Sequence, residues 1–241
     1  MLYPYLVPTL TIIVPVYNES RTLVQLVREI GQLPQNIYEN VIFVNDGSED
    51  DSERLLKESL GQWSIPHTYI YKSNGGKASA VLVGLEKTQT THAVILDADL
   101  ELEVSDLVRM WKLIESGEAN AVFGYREFRA HSSYTYRYAI GNKLISNFYG
   151  FIFNQLITDV MCGYKMFPVN VKSLLPRKVS GYSIEIAIPG ALWKSGLKPY
   201  ELEVSYKPRS RHEGKIINSF DAMKVLLAIL RFRLGIRGTK V

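Results

Sequence analysis

Five residues near the middle of the chain, Asp97-Ala-Asp-Leu-Glu101, carry three carboxylates at alternate positions. In extended backbone, residues two apart project to the same side, so Asp97, Asp99 and Glu101 would face one site. Acids that close repel one another unless a cation lies among them. The hard divalent ions Mg2+ and Mn2+ take oxygen ligands, commonly one or two carboxylates together with substrate phosphates. The same pattern also fits an acidic strand end neutralised by lysine or arginine, or the acidic first turn of a helix.

Three other stretches hold groups suited to a nucleotide. Thr11-Ile-Ile-Val-Pro-Val-Tyr-Asn-Glu19 ends in residues able to face a base, Tyr17 by stacking and Glu19 by accepting from its NH groups. Pro15 fixes φ and has no N–H to donate, so a turn is expected there. Asp46-Gly-Ser48 is either a turn or a second base-binding acid. Asn74-Gly-Gly-Lys77 opens a helix pattern, where glycines admit a close ligand and a helix N-terminus with Lys77 favours an anion. Each stretch also reads as ordinary turn or cap chemistry. None is a Walker loop or a dinucleotide fingerprint, because the spacings differ.

The elements that must position these groups alternate strand and helix patterns. Continuous apolar runs at Leu10 to Val16, Val41 to Asn45, His67 to Tyr71, His92 to Leu96 and Ala119 to Gly124 suit buried strands. Helical periodicity lies between them, over about Glu19 to Gly31, after the acids Glu49 to Asp51, over Lys77 to Lys87 and over Val104 to Ser116. That alternation predicts a parallel, doubly wound α/β sheet, in which ligands bind outside the carboxyl ends of the strands. All four candidate stretches fall at such ends. Further on, Tyr138 to Ile157 is apolar and aromatic at helical spacing, Leu202 to Tyr206 reads as a strand, and Phe220 to Arg233 is an amphipathic helix with basic residues at its end.

Taken in order, Pro15-Val-Tyr-Asn-Glu19, Val44-Asn-Asp-Gly-Ser48, Asn74-Gly-Gly-Lys-Ala78 and Asp97-Ala-Asp99 resemble the nucleotide-binding half of the family 2 glycosyltransferases. The likeness runs from Thr11 to about Arg126 and less evenly to about Arg233. It implies a GT-A fold with a central, mostly parallel sheet, in a single domain over 1–241. The nucleotide-sugar half would span about 9–126, the acceptor half about 127–218 and a basic amphipathic helix about 219–236. The resemblance places Pro15, Tyr17, Glu19 and Asp46 around the nucleoside, and Lys77 and Asp97 nearby. It makes Asp99 the principal metal ligand, with Glu101 beside it, and Mg2+ or Mn2+ the cofactor.

The second half is similar to the polyprenyl-phosphate sugar transferases, the branch that includes dolichol-phosphate mannose synthase. Gly124-Tyr-Arg126 is similar to that branch's Gly-Ser-Arg, and Arg137 and Ser146 fall where acceptor-phosphate ligands are expected. Asp159-Val-Met-Cys-Gly-Tyr-Lys165 and Gly181-Tyr-Ser-Ile-Glu185 echo two further motifs, and Tyr206 to Lys215 looks like the basic acceptor loop. Two positions depart from the pattern: Glu101 replaces a frequent Gln, and Tyr125 the usual Ser. The implied reaction is an inverting transfer of sugar from a UDP- or GDP-linked donor to undecaprenyl or dolichyl phosphate. Such an acceptor is already an anion and needs cationic positioning, which Arg126, Arg137, Arg209 and Lys215 would supply. A glycan hydroxyl acceptor would instead need a carboxylate base, with Asp159 and Glu185 as candidates. A nucleotidyltransferase would want a glycine-rich basic loop after the first strand, which Pro15 to Glu19 is not. A noncatalytic nucleotide-sugar-binding protein has less need of the acid cluster.

Bulk properties narrow the setting. Of the 241 residues, 46% are hydrophobic and 22% charged, the range of a folded globular protein. One cysteine, Cys162, permits no intrachain disulfide and suits a reducing compartment. The first eight residues lack a secretory signal pattern, and no apolar run is long enough to span a bilayer, so a cytoplasmic location is expected. The formal net charge of +4 is uneven: from Lys207 to Val241, nine basic residues face only Glu213 and Asp221. That surface suits phosphate or an anionic membrane, giving peripheral attachment, or it is simply a solvated face. Nucleic acid is not expected, because no aromatic-interleaved basic stripe accompanies the charge. The Tyr138 to Ile157 pattern suits a bilayer interface, core packing or the contact of a homo-oligomer equally.

Overall fold

The structure is a computed structural model and describes residues 7–127, 136–176, 183–208 and 219–234; within these, nothing is said of the side chains at 136, 137, 183 and 219–222. The described residues form seven strands: β1 (Leu10–Val16), β2 (Asn40–Asn45), β3 (His67–Tyr71), β4 (His92–Ile95), β5 (Val122–Arg126), β6 (Lys165–Pro168) and β7 (Tyr200–Val204). The helices are α1 (Leu23–Gly31), α2 (Ser52–Leu60), α3 (Lys77–Lys87), α4 (Asp106–Glu115), α5 (Tyr136–Phe153), α6 (Ser183–Lys194) and α7 (Ser219–Arg233). One sheet holds the strands in the order β3-β2-β1-β4-β6-β5-β7. It is mostly parallel, as expected, except that β6 runs antiparallel to both of its neighbours, β4 and β5.

The period-2 alternation of the central strands divides the core into two layers. Ile12 and Val14 face α1, α2 and α4, packing with Leu26, Ile30, Leu56, Leu107 and Met110. Ile13 points the other way, toward α3, α5, α6 and α7, with Val81, Tyr149, Ile188 and Ile229. Both faces are therefore covered, which is why the strands read as unbroken apolar runs.

Pro15 does not turn the chain. It lies within β1, paired with Val44 of β2. Val16 accepts a hydrogen bond from the Asp46 amide on the β2 side, so the alternating amide of Pro15 faces the β4 side. There the ladder has already ended, its last bond running from Leu96 N–H to the Ile13 carbonyl. The missing N–H thus falls at the β4 edge, just past the last paired residues, and costs the β2 pairing nothing. Nor does β4 continue as extended chain through the acids. Residues 98 and 99 form a turn, and Leu100 adopts a left-handed φ of 55°. The expected one-sided display of Asp97, Asp99 and Glu101 is replaced by a compact acid turn.

The antiparallel β6 was not expected from the sequence, and it decides the site. Because Ile95 pairs with Lys165, the loop leading into β6 runs beside the carboxyl end of β4. Pro189 stands four residues after Glu185 inside α6, so the Glu185 carbonyl lacks its helical donor. The buried Tyr149 hydroxyl enters this turn, donating to the Ile186 carbonyl at 2.6 Å. That holds the first turn of α6, with Glu185, against the sheet.

Candidate active site

The carboxyl ends of β1 to β4 are tied to one another by side chains. Asn18, with φ of 54°, donates its backbone amide to the Ser48 hydroxyl (3.1 Å), and its side-chain carbonyl accepts from the Glu49 amide (2.8 Å). The Glu19 amide donates to the Ser52 hydroxyl, and the Thr22 hydroxyl donates to the Ala98 carbonyl at 2.7 Å, joining the start of α1 to the acid turn. These bonds hold residues 19 to 22 outside α1, which begins at Leu23 rather than Glu19. Tyr17 remains exposed beside them.

Asp46 is buried at the end of β2 and paired with the Lys72 ammonium; the Gly75 amide donates to its Oδ1 at 3.0 Å. Gly47 follows with φ of 71°, and a Cβ there would press on the Asn74 amide. One carboxylate thereby fixes the Asn74-Gly-Gly-Lys77 turn against the neighbouring strand end. Lys72 went unnoticed in the sequence, although its position directly after β3 was a usable signal.

Lys77 begins α3, where the helix dipole disfavours a cation. Two acids compensate: Lys77 Nζ lies 2.6 Å from Asp97 and 2.7 Å from Glu185. Burial opposes its charge, but the attraction of Asp97 and then Glu185 outweighs burial and raises the lysine pKa, so Lys77 stays cationic. Glu185 is 3% exposed, and its Oε2 has no hydrogen-bond partner among the described residues. Gly163 packs so closely under this triad that a Cβ would collide with Asp97 Oδ2. Lys165, fully buried, donates to the carbonyls of Val160 and Cys162 and braces the same loop.

In the acid turn, the Glu101 amide donates to Asp99 Oδ1 at 3.0 Å, and Glu101 Oε2 accepts from the Tyr206 hydroxyl at 3.0 Å. Among the described residues no three His, Cys, Asp or Glu side chains group as a ready metal cage. With Asp97 engaged by Lys77, the turn offers Asp99 and Glu101, a hard-oxygen pair of the kind that binds Mg2+ or Mn2+ only with phosphate oxygens added.

Farther along the sheet, Arg126 and Asp159 form a buried two-pronged ion pair, Nε to Oδ2 at 2.6 Å and Nη2 to Oδ1 at 2.9 Å. Burial opposes the Arg126 charge, yet Asp159 more than offsets it and raises the pKa. Ser146 is buried, its hydroxyl accepting from the Val160 amide at 3.1 Å. The proposed phosphate ligands Arg126 and Ser146 are thus engaged within the protein, and so is the candidate base Asp159. Arg209 and Lys215 lie outside the described residues, as does the side chain of Arg137.

Residues 11–176 match the family model for Glycosyl transferase family 2, more than half of the chain. The chain belongs to glycosyl transferase family 2. It is a glycosyltransferase. It is 26% identical over 211 residues to an uncharacterized protein of Methanocaldococcus jannaschii, a match covering 80% of this chain and 86% of the relative. Glycosyltransferase AglJ of Haloferax volcanii is 24% identical, over 82% of this chain and 63% of its own length. Undecaprenyl-phosphate 4-deoxy-4-formamido-L-arabinose transferase of Pseudomonas syringae is 32% identical, over 47% of this chain and 35% of the relative. This match therefore spans about a third of that enzyme's length. Among solved structures, glucosyl-3-phosphoglycerate synthase from Mycobacterium tuberculosis, in complex with Mn2+, UDP and phosphoglyceric acid, superposes with a TM-score of 0.71. It shares 18% identity and covers 97% of this chain and 81% of that one, a likeness that shows the GT-A fold.

Proposed function

We propose that the transferase moves a sugar, with inversion, from a nucleoside-diphosphate donor to a polyprenyl phosphate. The Lys77–Asp97–Glu185 triad carries this reading. It sets a retained cation beside two acids at the carboxyl end of the sheet, next to the acid turn and in the same helix-opening turn that Asp46 holds. Tyr17, Glu19, Asp46 and Pro15 would border the nucleoside. Lys77, by neutralising Asp97, lowers the repulsion that a diphosphate would otherwise meet. Asp99 and Glu101 would hold Mg2+ or Mn2+ jointly with the diphosphate oxygens. When bound, the cation supplies charge compensation for the leaving diphosphate. The unpartnered, buried Glu185 Oε2 suits a donor-sugar hydroxyl, which would satisfy it.

The acceptor assignment gains support from one of the two candidate bases. Asp159 has both oxygens engaged by Arg126, whereas Lys77 holds Glu185 through Oε1 alone, so of the two only Asp159 is fully clamped. A phosphate acceptor needs no such base, and it attacks the anomeric carbon as nucleoside diphosphate departs. Arg126, Arg137, Ser146, Arg209 and Lys215 are the proposed acceptor-side groups, Arg126 being usable only if it shares its guanidinium with Asp159. Among the described residues no helix is long and apolar enough to cross a membrane. Leu144 and Phe151 of α5 and Leu227, Leu230 and Leu234 at α7 are nonetheless exposed, a surface suited to peripheral contact with anionic lipid.

The test is product analysis with UDP- and GDP-sugars, Mn2+ or Mg2+, and a short-chain polyprenyl phosphate. A lipid-linked sugar appearing together with nucleoside diphosphate is the expected result. Turnover only with a glycan hydroxyl would sink the acceptor assignment, and failure to bind either nucleotide with metal would sink the donor assignment.

A further inference from the structure

Asp46 and Lys72 hold each other at the end of β2, and their pairing leaves one group over on each side. Asp46 Oδ1 takes both the Lys72 ammonium and the Gly75 amide, the latter at 3.0 Å, whereas Oδ2 receives no hydrogen bond among the described residues. An ammonium carries three N–H donors. Lys72 gives one to Asp46 Oδ1 and one to the Ser73 carbonyl at 2.6 Å, and the third meets no partner among the described residues. An open acceptor and an open donor thus lie side by side on one ion pair, whose acid is 2% exposed. Gly75 makes the room, since a Cβ there would come within 2.9 Å of Lys72 Nζ. The Asp46 amide donates to the Val16 carbonyl at 2.8 Å, so the exposed Tyr17 follows directly beside the pair.

We propose that this pair reads the nucleotide base, with Lys72 as a specificity-determining residue, and that the base it selects is uracil. This rests on the donor reading above and narrows the donor to a UDP-sugar. An acceptor beside a donor is complementary to an N–H beside a carbonyl. Uracil presents that edge: N3–H would donate to Asp46 Oδ2, and O4 would accept from Lys72. Cytosine presents the reverse, a bare N3 beside an amino group, which sets a lone pair against the carboxylate and an N–H against the ammonium. Guanine shares the N–H and carbonyl at N1 and O6 but adds the N2 amino group, and two parallel N–H donors ask for both oxygens of one carboxylate. Here Oδ1 is already taken by two donors. In a nearly buried site a mismatched edge leaves polar groups unpaired, which is where discrimination is strongest. Tyr17 would stack on any base and adds no such choice.

The test is isothermal titration calorimetry of the full chain in Mn2+ with UDP, GDP and CDP. UDP should bind at least about tenfold more tightly than either of the others. Lys72→Met keeps the straight side chain and removes the ammonium. UDP should then weaken about tenfold and CDP little, so that the preference shrinks. A lysine that merely braces the turn would weaken all three nucleotides by the same factor, and that result overturns its role. Lys72→Arg, which keeps a donor at the position, should recover part of the preference. If thermal melting shows Lys72→Met unfolded, 3-methyl-UDP on the wild type takes its place, because the methyl group replaces N3–H. Binding of 3-methyl-UDP within about threefold of UDP overturns the proposal. GDP or CDP binding the wild type as tightly as UDP also overturns it, while the donor reading stands. If none of the three binds in Mn2+, the donor reading itself has failed and the base assignment falls with it.

Discussion

The two ends of the crevice are built in different ways. At the proposed donor end, the motif side chains sit at or just beyond the strands that position them, Asp46 after β2, Lys72 after β3, Lys77 at the start of α3 and Asp97 after β4, with Glu185 of α6 the exception. At the proposed acceptor end, the pairs are drawn from distant segments. Arg126 meets Asp159, 33 residues on, and Thr158 beside it meets Glu201 of β7 across 43 residues. A strand-end site can be specified by short motifs, because the sheet itself supplies the geometry. A site assembled across β5, β6, α5 and the chain after β7 depends on how those elements pack.

The largest effect should come from breaking the proposed donor end at Asp99, in the acid turn. Asp99→Ala is expected to lower kcat by at least about a hundredfold while leaving the melting temperature close to that of the wild type. Steady-state rates and thermal unfolding on the same sample check this. Activity within tenfold of wild type would mean that Asp99 does not hold the cation.

Arg126→Ala should act in the opposite manner, as a stability lesion. It strands the buried Asp159 carboxylate, and losing one member of a buried pair costs about 3–5 kcal/mol. Replacing both partners by apolar residues, Arg126→Met with Asp159→Leu, should recover much of that loss, since no uncompensated charge remains. Denaturant titration measures the recovery. The assay then sharpens the contrast: a stable but inactive double variant makes Arg126 part of the acceptor site, and a stable, active one makes the pair purely structural.

This contrast also governs what the sequence made legible. The five-strand alternation, the strand-end position of all four motifs and the mostly parallel sheet follow from local pattern, and local pattern was enough. A turn is expected at Pro15 from local chemistry, but the proline stays in β1 because its paired side faces β2, and that register is not local information. The acid turn was read as extended because nothing local announces the positive φ at Leu100, a residue that ordinarily avoids it. β6 has only four residues and opens with a lysine, so no period betrays it. With β6 unseen, the closeness of Gly163 to Asp97 and the bracing by Lys165 could not be anticipated. Tyr206 was visible as a strand end, but its partner Glu101 was not.

The smallest effect tests whether the two ends share one folding unit. His92 opens β4 at the end opposite the crevice, with Thr91 Oγ1 2.9 Å from its Nδ1 and the Trp111 ring edge-on to it. Burial is the main cause that pushes its pKa down, to about 4 from 6.5, against a smaller opposing hydrogen bond with the Asn120 backbone. The unfolded chain therefore takes up the proton at a pH where the folded one resists it. Stability from this group is complete above about pH 6.5 and is lost as pH falls toward about 4, by no more than about 3 kcal/mol. His92→Gln should flatten that part of the stability–pH curve. Of the three tryptophans, Trp63 and Trp111 report on the donor half and Trp193, in α6, on the acceptor half. In single-tryptophan variants the acid-induced loss should have the same midpoint for each probe, because β4 and β6 are paired strands of a single sheet. If Trp111 were to report unfolding at a higher pH than Trp193, the difference between the two ends would extend from how their sites are assembled to how they fold.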